Sequence, residues 1–515
     1  MLDNSIPLFK VYMNNNLDSV MDTLKSGMIT QGQKVEEFEE KLKKYFNYPY
    51  LLGLNSATSG LTLAYRLLNL NPDTDYVIST PLTCFATNAS ILANNLKIIW
   101  ADTDSNTCNI DLEDVKKKIN SNTKVLSFVH WGGNPVDLDK VEELKEYALE
   151  KYEIELKVVE DCAHAFGTEL NYKKLGTHGN ICVFSLQAIK HLTTGDGGLI
   201  FLPNEEMYNR AKLLRWFGID REKRSLPGSD FRLEPDISEY GYKFHMNDIN
   251  ASIGLANLPN IDNILEKCKE NARFYKDNLK DLGSIKLFGE IKNSTPSYWI
   301  YTLRILYNRK NEFIQYMKFK GIVVSQVHGR NDKHSCLKVS VGNLPNLDLL
   351  EKQIISIPVG WWITKEQREY IVTCIKEFSD SLYITTLNTE DSLEEYANLL
   401  CQMNGYKEKD KKLELTKDVS KTIYIMKLNN KIISTAKLFI EEKIYQPVGH
   451  IEDVVTDNQH RNKGYGKSLI KYIINKAIND MNCYKVILNC KEELNNFYTK
   501  CGMTKTGSAF TIYKN

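Results

Sequence analysis

The sequence lacks most of the features that mark a specialised class of protein. Its 66 basic and 65 acidic residues leave a formal charge of only +1, so we expect no nucleic-acid partner. Its apolar runs are far shorter than the roughly 20 residues that cross a bilayer, and we expect no membrane association. The first residues, MLDNSIPLFKVYM, contain no basic segment followed by an apolar one, so no secretory leader is expected. The 11 cysteines are odd in number and have no CxxC spacing, which indicates reduced thiols in a cytoplasmic protein.

What the sequence does contain is an alternation of short apolar strands and amphipathic helices. Strand candidates such as Tyr50–Leu54, Lys124–Val129 and Ile181–Ser185 are separated by helical stretches. Such an order requires crossover connections and therefore predicts an α/β fold, with a mostly parallel sheet covered by helices on both faces. A smaller mixed segment follows, with strands predicted at Trp299–Leu306 and Ile322–Val327.

The pattern begins again near residue 382 and continues for about 130 residues, a normal length for a domain. This second run includes strand candidates at Leu382–Thr386 and Ile423–Leu428 and a helix at Lys467–Asp480. We therefore expect two domains, covering residues 1–380 and 381–515.

A lysine between an apolar strand and a glycine-rich turn is the first candidate for chemistry. In FSLQAIKHLTTGDGGLI, residues 184–200, Lys190 follows the strand and precedes three glycines. A protected lysine can have a lowered pKa and form a Schiff base with a carbonyl. Taken alone, the arrangement more often belongs to an ordinary solvated lysine.

Two further motifs supply partners for such a lysine. In VVEDCAHAFG, residues 158–167, an acidic pair ends a strand, where open α/β sheets bind ligands. Pyridoxal phosphate requires such an acid, because a carboxylate beside the pyridine nitrogen keeps the ring protonated. In NSATSGL, residues 55–61, small and hydroxyl residues open a helix whose first N–H groups can hold a phosphate. Each motif by itself could also be a helix cap.

In this order and spacing, the three motifs resemble those of the DegT/StrS-type sugar aminotransferases, which have the fold-type-I architecture of pyridoxal phosphate enzymes. The similarity runs from about Ile6 to Phe378 and includes PLTCFATNASI (81–91), HWGGNPVDLD (130–139), LLRWFGIDR (213–221) and GYKFHMNDINASIGL (241–255). The resemblance implies a homodimer with cofactor sites at the subunit interface.

Position by position, the resemblance implies a role for each residue at the cofactor. Lys190 is the Schiff-base lysine, Asp161 pairs with the pyridinium nitrogen, and His164 lies near the phenolic oxygen. The implied phosphate ligands are Ala57, Thr58, Ser185 and, from the other subunit, Lys243.

Some positions depart from the pattern of the family. Lys243 stands where relatives have an asparagine, and His245 replaces the usual arginine. Either Phe85 or Cys84 occupies the position of the aromatic residue that stacks on the cofactor ring. A lysine can still pair with a phosphate, so we expect cofactor binding, whereas a substrate cannot be carried over from better-known members.

The resemblance implies transfer of an amino group from L-glutamate to a keto nucleotide sugar, with Lys190 moving the proton. Relatives in which a histidine replaces this lysine are dehydratases. This chain has His191, but Lys190 occupies the position of the family lysine. Aminotransfer is therefore favoured over a dehydratase.

The second run contains a different motif, HIEDVVTDNQHRNKGYGKSLIKYII at residues 450–474. A basic, glycine-containing loop before a helix suits a pyrophosphate. The GKS triplet is not a Walker A motif, because Arg461 stands where a glycine is required. The stretch resembles the coenzyme A loop of the GNAT superfamily, and the implied coenzyme A ligands are Arg461, Lys463, Gly464, Gly466 and Lys467.

Two later stretches, CYKVILNC (483–490) and NNFYTKCGM (495–503), sharpen this resemblance to glucosamine-6-phosphate N-acetyltransferases. It implies that Glu452 and Asp453 lie at the substrate amine and the acetyl group, and that Tyr498 protonates the departing thiolate. Asn489 replaces the aspartate with which relatives contact the amine. A different amino sugar is therefore expected.

Our hypothesis is a bifunctional enzyme of surface-glycan biosynthesis, in which the second domain acetylates the amine made by the first. Rival hypotheses are an aminotransferase with a non-catalytic acetyl-CoA sensor, a dehydratase, and a catalytically silent regulatory protein. No metal is expected, because His328 and His334 have no carboxylate or cysteine placed to complete a site. We interpret their loop as part of the surroundings of the sugar pocket.

Overall fold

The structure is a computed structural model and describes residues 5–221, 236–337, 342–388, 391–403 and 421–506. The chain forms two compact units: Met1–Asp281 with Ile285–Cys374, and Leu282–Ser284 with Ile375–Asn515. Within the described ranges, no helix is both long and apolar enough to cross a membrane.

The first unit is built around a seven-stranded sheet with the strand order β1-β9-β8-β5-β4-β2-β3. The strands of this unit, including those of two small sheets, are β1 (Leu51–Leu54), β2 (Tyr76–Ser79), β3 (Lys97–Trp100), β4 (Thr123–Val129), β5 (Lys157–Asp161), β6 (Glu169–Leu170), β7 (Lys173–Lys174), β8 (Ile181–Ser185), β9 (Gly198–Phe201), β10 (Ile285–Leu287), β11 (Ser294–Thr295), β12 (Tyr301–Ile305) and β13 (Ile354–Ile357). In the large sheet, β3, β2, β4, β5 and β8 pair in parallel, and β9 runs antiparallel to both β8 and β1.

Helices cover both faces of this sheet, because both faces of its strands are apolar. Along β8, Cys182 and Phe184 pack into one hydrophobic cluster, whereas Val183 between them packs into another. The helices of the unit are Asp18–Ser26, Gln33–Phe46, Ala57–Leu67, Phe85–Leu92, Leu112–Lys118, Leu138–Tyr152, Glu205–Leu214, Asp248–Asn257, Ile261–Leu279, Lys310–Phe319 and Pro345–Glu351. The predicted α/β fold with a mostly parallel sheet is confirmed.

The strand predicted at Ile322–Val327 is wrong. Pairing in this segment is limited to isolated bridges, one of which joins Ile322 to Ile6. Val327 has a positive φ of 73°, a conformation that a β-branched residue rarely adopts and a strand does not contain. The apolar residues therefore cannot continue as one strand and form a loop.

The second unit has a five-stranded sheet with the order β14-β15-β16-β17-β18. Its strands are β14 (Tyr383–Thr386), β15 (Lys421–Leu428), β16 (Lys431–Glu441), β17 (Val448–Thr456) and β18 (Lys485–Ile487), and its helices include Leu393–Leu400, Tyr465–Asn475 and Asn495–Lys500. Only the β17–β18 pair is parallel among the described strands. The register of β16 against β17 shifts between Thr435 and Lys437, and Asp453 has a left-handed φ of 48°. These features mark a bulge in β17. The helix Lys365–Asp380 precedes β14, and the chain divides between the two units within it.

Candidate active sites

The acid of the first site lies at the carboxyl end of β5, next to the end of β8. Asp161 is 2% exposed, and its Oδ2 accepts a hydrogen bond of 2.6 Å from the Thr87 hydroxyl. Its Oδ1 accepts a second one, of 2.9 Å, from the backbone N–H of Ala163. Burial raises the pKa of Asp161, and the two hydrogen bonds oppose this rise. The carboxylate is thus held in one orientation, with a strong tendency to associate with a cationic partner.

Lys190 lies in the loop between β8 and β9 and is half-buried. Burial lowers the pKa of its amine from 10.5 to about 7, while the field of Asp161 acts in the opposite direction. Its Nζ lies 3.4 Å from the ring centroid of Trp299. An amine with this pKa is largely neutral at physiological pH, as nucleophilic attack on a carbonyl requires.

Three rings form a stack beside the lysine. The imidazole of His164 lies 4.1 Å from the ring of Trp299 with an angle of 22° between the planes, and it stacks on His328 at 5.3 Å. His164 Nδ1 is 3.4 Å from the backbone N–H of Gly132, so its proton is on Nε2, which is 3.3 Å from His328 Nε2. Burial, followed by the charge of Lys190, holds the pKa of His164 well below its usual value. His164 is therefore a neutral hydrogen-bond donor.

The sequence did not identify Trp299 as a site residue, and it placed His328 only in a loop near the pocket. Trp299 was predicted to begin a strand, where a tryptophan is ordinarily part of the core. The contacts between His164 and His328 join residues 164 positions apart in the sequence. Thr87, which holds Asp161, lies within the matching stretch 81–91 but carries no separate signal there.

A concave backbone surface lies where the resemblance implies phosphate binding. Ser56 caps the helix Ala57–Leu67 by accepting a hydrogen bond from the N–H of Ser59. Ser185 pairs with Gly198 across β8 and β9, and a Cβ added at Gly198 would lie 2.5 Å from the backbone nitrogen of Ala57. The glycine therefore allows the start of β9 to approach the start of this helix, and it brings Ser185 near that start. Hydroxyl groups beside free helical N–H groups fit a phosphate.

The other residues implied at this cofactor differ in exposure. Thr58 and Lys243 are exposed, and the backbone carbonyl of Lys243 accepts a hydrogen bond of 3.3 Å from the Asn55 side chain. Phe85 begins the helix Phe85–Leu92 and is 44% exposed. His245 is buried against Trp216, and burial, followed by the charge of Arg221, lowers its pKa to about 4. His245 is therefore neutral and does not provide the positive charge of the arginine it replaces.

One buried cluster near Asp161 has the composition of a metal site. It contains His130, Glu160 and Cys162. The Val136 N–H donates to His130 Nδ1, so His130 Nε2 carries the proton and donates to Glu160 across 2.9 Å. Asn180 donates to the other oxygen of Glu160. The nitrogen and oxygen atoms of this cluster are thus engaged with one another, and we interpret it as a structural network.

In the second unit, the basic loop ends at the start of the helix Tyr465–Asn475. Gly464 is the N-cap with a left-handed φ of 86°, and no described side chain caps the helix. Arg461 is exposed, and its Nε donates to the carbonyl of Thr456 at the end of β17. A Cβ at Gly466 would lie 2.8 Å from the Thr456 hydroxyl, so the helix start lies close against β17. Uncapped N–H groups with neighbouring exposed Lys463 and Lys467 fit a pyrophosphate.

The two acidic residues of β17 have different surroundings. Asp453, at the bulge, forms an ion pair with Lys437 of β16, whereas Glu452 is exposed. Tyr498 is half-buried on the helix Asn495–Lys500, and burial raises its pKa to about 12. A hydroxyl with this pKa stays protonated at neutral pH and can act as an acid. Asn489 is exposed and lies beyond the end of β18.

Comparison with known proteins finds a different family for each of two regions of the chain. The DegT/DnrJ/EryC1/StrS aminotransferase family matches residues 12–376, and the acetyltransferase (GNAT) family matches residues 389–503. The chain is 31% identical over 352 residues to the UDP-4-amino-4,6-dideoxy-N-acetyl-beta-L-altrosamine transaminase of Campylobacter jejuni serotype O:23/36, a match that covers 67% of this chain and 89% of that protein.

Solved structures match the aminotransferase region of the chain. The crystal structure of AtS13 from Actinomadura melliaura has a TM-score of 0.70 and 40% identity, and it covers 73% of this chain and 100% of its own. The sugar aminotransferase CalS13 from Micromonospora echinospora has a TM-score of 0.69 and 38% identity, with coverage of 72% and 99%. These matches confirm a pyridoxal phosphate-dependent aminotransferase and an acetyl-CoA-dependent acetyltransferase. The chain belongs to the DegT/DnrJ/EryC1/StrS aminotransferase family and carries a GNAT acetyltransferase domain after the aminotransferase region.

Proposed function

We propose that this enzyme transfers an amino group from L-glutamate to a keto nucleotide sugar and then acetylates the new amine with acetyl-CoA. The observation that carries the first step is the position of the half-buried Lys190 amine over the Trp299 ring, beside the stacked imidazoles of His164 and His328. Burial lowers the pKa of this amine to about 7, which fits a group that must both attack a carbonyl and move a proton. The product of the first reaction is an amine, and an amine is the acceptor in the second. Linking both domains in one chain raises the effective concentration of the aminated product at the acetyltransferase site.

In the first reaction, each residue has a defined task. When bound, pyridoxal phosphate supplies an electron sink for the carbon that carries the amino group. Asp161 holds the pyridinium proton, because Thr87 and Ala163 fix its carboxylate in one orientation. The neutral imidazole of His164 would lie near the phenolic oxygen, and Lys190 would move the proton.

The remaining residues of the proposed cofactor site bind without taking part in proton transfer. We propose that the phosphate is held by Ala57, Thr58 and Ser185, and by Lys243 of a second copy of the chain in a homodimer. Phe85 is proposed to cover the cofactor ring from the start of its helix, with Cys84 as the other candidate for that position. Within a single chain, the carbonyl of Lys243 accepts a hydrogen bond from the side chain of Asn55, immediately before the Ser56 cap, and the role of a second copy rests on the family resemblance alone.

In the second reaction, the loop before the helix Tyr465–Asn475 is proposed to hold the pyrophosphate of acetyl-CoA through Arg461, Lys463, Gly464, Gly466 and Lys467. Glu452 is exposed and is proposed to receive the substrate amine, while Asp453, paired with Lys437, orients the acceptor beside the acetyl group. Tyr498 is proposed to protonate the departing thiolate, because its hydroxyl carries a proton at neutral pH.

The substrate class and setting are also proposals. A relative named as a UDP-amino-sugar transaminase supports a nucleotide-linked sugar as the acceptor of the amino group. We propose a cytoplasmic enzyme of surface-polysaccharide biosynthesis, because nucleotide sugars are made and used there. We also propose that the domains divide near residue 380.

The experiment is mass spectrometry of the products from keto sugars linked to UDP, dTDP, GDP and CDP. Each sugar is incubated with the full-length enzyme and L-glutamate, with and without acetyl-CoA. We expect one sugar to gain an amino group, and to gain an acetyl group only when acetyl-CoA is present. Amination without acetylation would reject the coupled second step and favour an acetyl-CoA sensor. Loss of water from a sugar without gain of nitrogen would indicate the dehydratase.

A further inference from the structure

The amine of Lys190 has an unusual resting place in this site. Its Nζ lies 3.4 Å from the centroid of the Trp299 ring, over the face of the indole. Among the described residues, this amine has no hydrogen bond or ion pair. An aromatic face is therefore its closest partner, and such a face attracts an ammonium more strongly than it attracts a neutral amine.

The indole itself is fixed from several sides. Its Nε1–H donates a hydrogen bond of 2.9 Å to the carbonyl of Ile189, the residue immediately before the lysine. The backbone N–H of Trp299 donates to Gly132, and its ring stacks on Phe9 at 4.9 Å and on His164 at 4.1 Å. The ring is thus tied to the lysine's own backbone and to the imidazole of the site. It cannot move away from the amine without losing these contacts.

We propose that Trp299 is a positioning residue for Lys190: its indole face supports the lysine amine whenever that amine is not bonded to the cofactor. The proposal rests on the aminotransferase function above, in which the amine leaves the cofactor in the first half-reaction and bonds to the same carbon again at the end of the second. A free lysine side chain has four rotatable bonds and therefore a large rotamer entropy. Contact with a fixed ring limits this freedom and keeps the amine beside the reacting carbon.

The contact also has an electrostatic consequence that can be measured without the reaction. Because the ring face stabilises the protonated amine, removing it should lower the pKa of Lys190 below about 7, by roughly one unit. The titratable groups that face this amine are Asp161, Cys84, His164, His191 and His328. Burial lowers the pKa of both His191 and His328 to about 4, so these rings remain neutral across the titration of the lysine.

The test is competitive labelling of the full-length chain, freed of cofactor, with acetic anhydride at a series of pH values. Mass spectrometry of the Lys190 peptide then gives the pKa of this amine in the wild type, W299F, W299L and W131F. Trp131 is a matched control, because it is a buried tryptophan that contacts His164 edge-on and has no contact with the amine. We expect W299L to lower the Lys190 pKa by about one unit, W299F to lower it less, and W131F to leave it unchanged.

Equal pKa values in the wild type and in W299L, or a rise in W299L through entry of water, would overturn the proposal. Should W299L fail to fold, as judged by circular dichroism, W299F and W299Y take its place in the test. Each retains an aromatic ring, whose attraction for a cation differs from that of indole. An unchanged pKa in both of these variants would then overturn it. Adding pyridoxal phosphate to the wild type should block labelling of Lys190. Failure to block it would reject the proposed function while leaving the measured effect of Trp299 intact.

Discussion

The two proposed active sites of this chain differ in how far their central residues are buried. In the aminotransferase site, Asp161 and His164 are at most 2% exposed, and the pKa values of Lys190, Asp161 and His164 are all shifted by burial. In the acetyltransferase domain, the residues implied at acetyl-CoA are almost all exposed. A lysine that attacks a carbonyl must lose its proton near neutral pH. In the first site, burial is what lowers the pKa of the Lys190 amine enough for this. A cosubstrate that enters and leaves in every cycle needs an open loop with free backbone N–H groups.

This comparison predicts that one domain can be inactivated without the other. Replacing Lys190 by alanine should reduce amination by at least about 100-fold, because both the attacking amine and the proton carrier are lost. Acetylation of a chemically prepared amino sugar should be unchanged. The measurement is the rate of each reaction by mass spectrometry, together with the visible absorption of bound cofactor. Lys173, an exposed lysine on β7, provides the control K173A, which should retain both activities. A K190A variant that still aminates at the wild-type rate would contradict the assignment of the lysine.

Much of the candidate aminotransferase site could be predicted from the sequence, because several of its residues lie in short, contiguous motifs. Asp161 is the last residue of β5, and Lys190 follows β8 in the loop before β9, so the order of strands and helices already places both near the ligand edge of the sheet. Trp299 and His328 could not be predicted. The Trp299 indole reaches Ile189 across 110 residues of sequence, and this contact exists only after the chain has folded.

The acetyltransferase site shows a different limit of sequence reasoning. Its loop of basic residues and glycines is contiguous and was recognised as a whole. The resemblance implies that Glu452 and Asp453 both lie at the substrate amine and the acetyl group. In the structure their surroundings differ at the bulge in β17: Asp453 pairs with Lys437, and Glu452 is exposed. A bulge depends on the pairing of two strands, so it cannot be predicted from neighbouring residues of one strand.

The second prediction concerns the acid of the exposed site. Changing Tyr498 to phenylalanine should slow acetyl transfer by about 100-fold, because the departing thiolate loses its proton donor. Amination should remain at the wild-type rate, and acetyl-CoA should still bind. Y484F is the control, since Tyr484 is an exposed tyrosine of the same unit. Acetylation by Y498F at the wild-type rate would mean that another group, or water, protonates the thiolate.

The smallest effect is expected from the backbone of the coenzyme A loop, where two glycines allow a matched comparison. Gly464 and Gly502 have φ values of 86° and 97°, and a Cβ at either one would meet no atom within 4 Å. Alanine at either position should therefore destabilise folding by a similar amount, about 1–2 kcal/mol, through its left-handed conformation alone. Thermal unfolding of G464A and G502A measures this cost.

Only G464A should also weaken acetyl-CoA binding, because Gly464 begins the helix whose first N–H groups are proposed to hold the pyrophosphate. Loss of one backbone hydrogen bond, worth about 1 kcal/mol, corresponds to roughly a fivefold higher dissociation constant by isothermal titration calorimetry. If G464A and G502A both bind acetyl-CoA as tightly as the wild type, the pyrophosphate lies away from this helix start. Equal loss of binding would mean that the strain of a left-handed alanine, and not the position of the loop, controls affinity. Either result would mean that the affinity for acetyl-CoA does not depend on the backbone N–H groups of this helix start. The two proposed sites would then differ in burial alone.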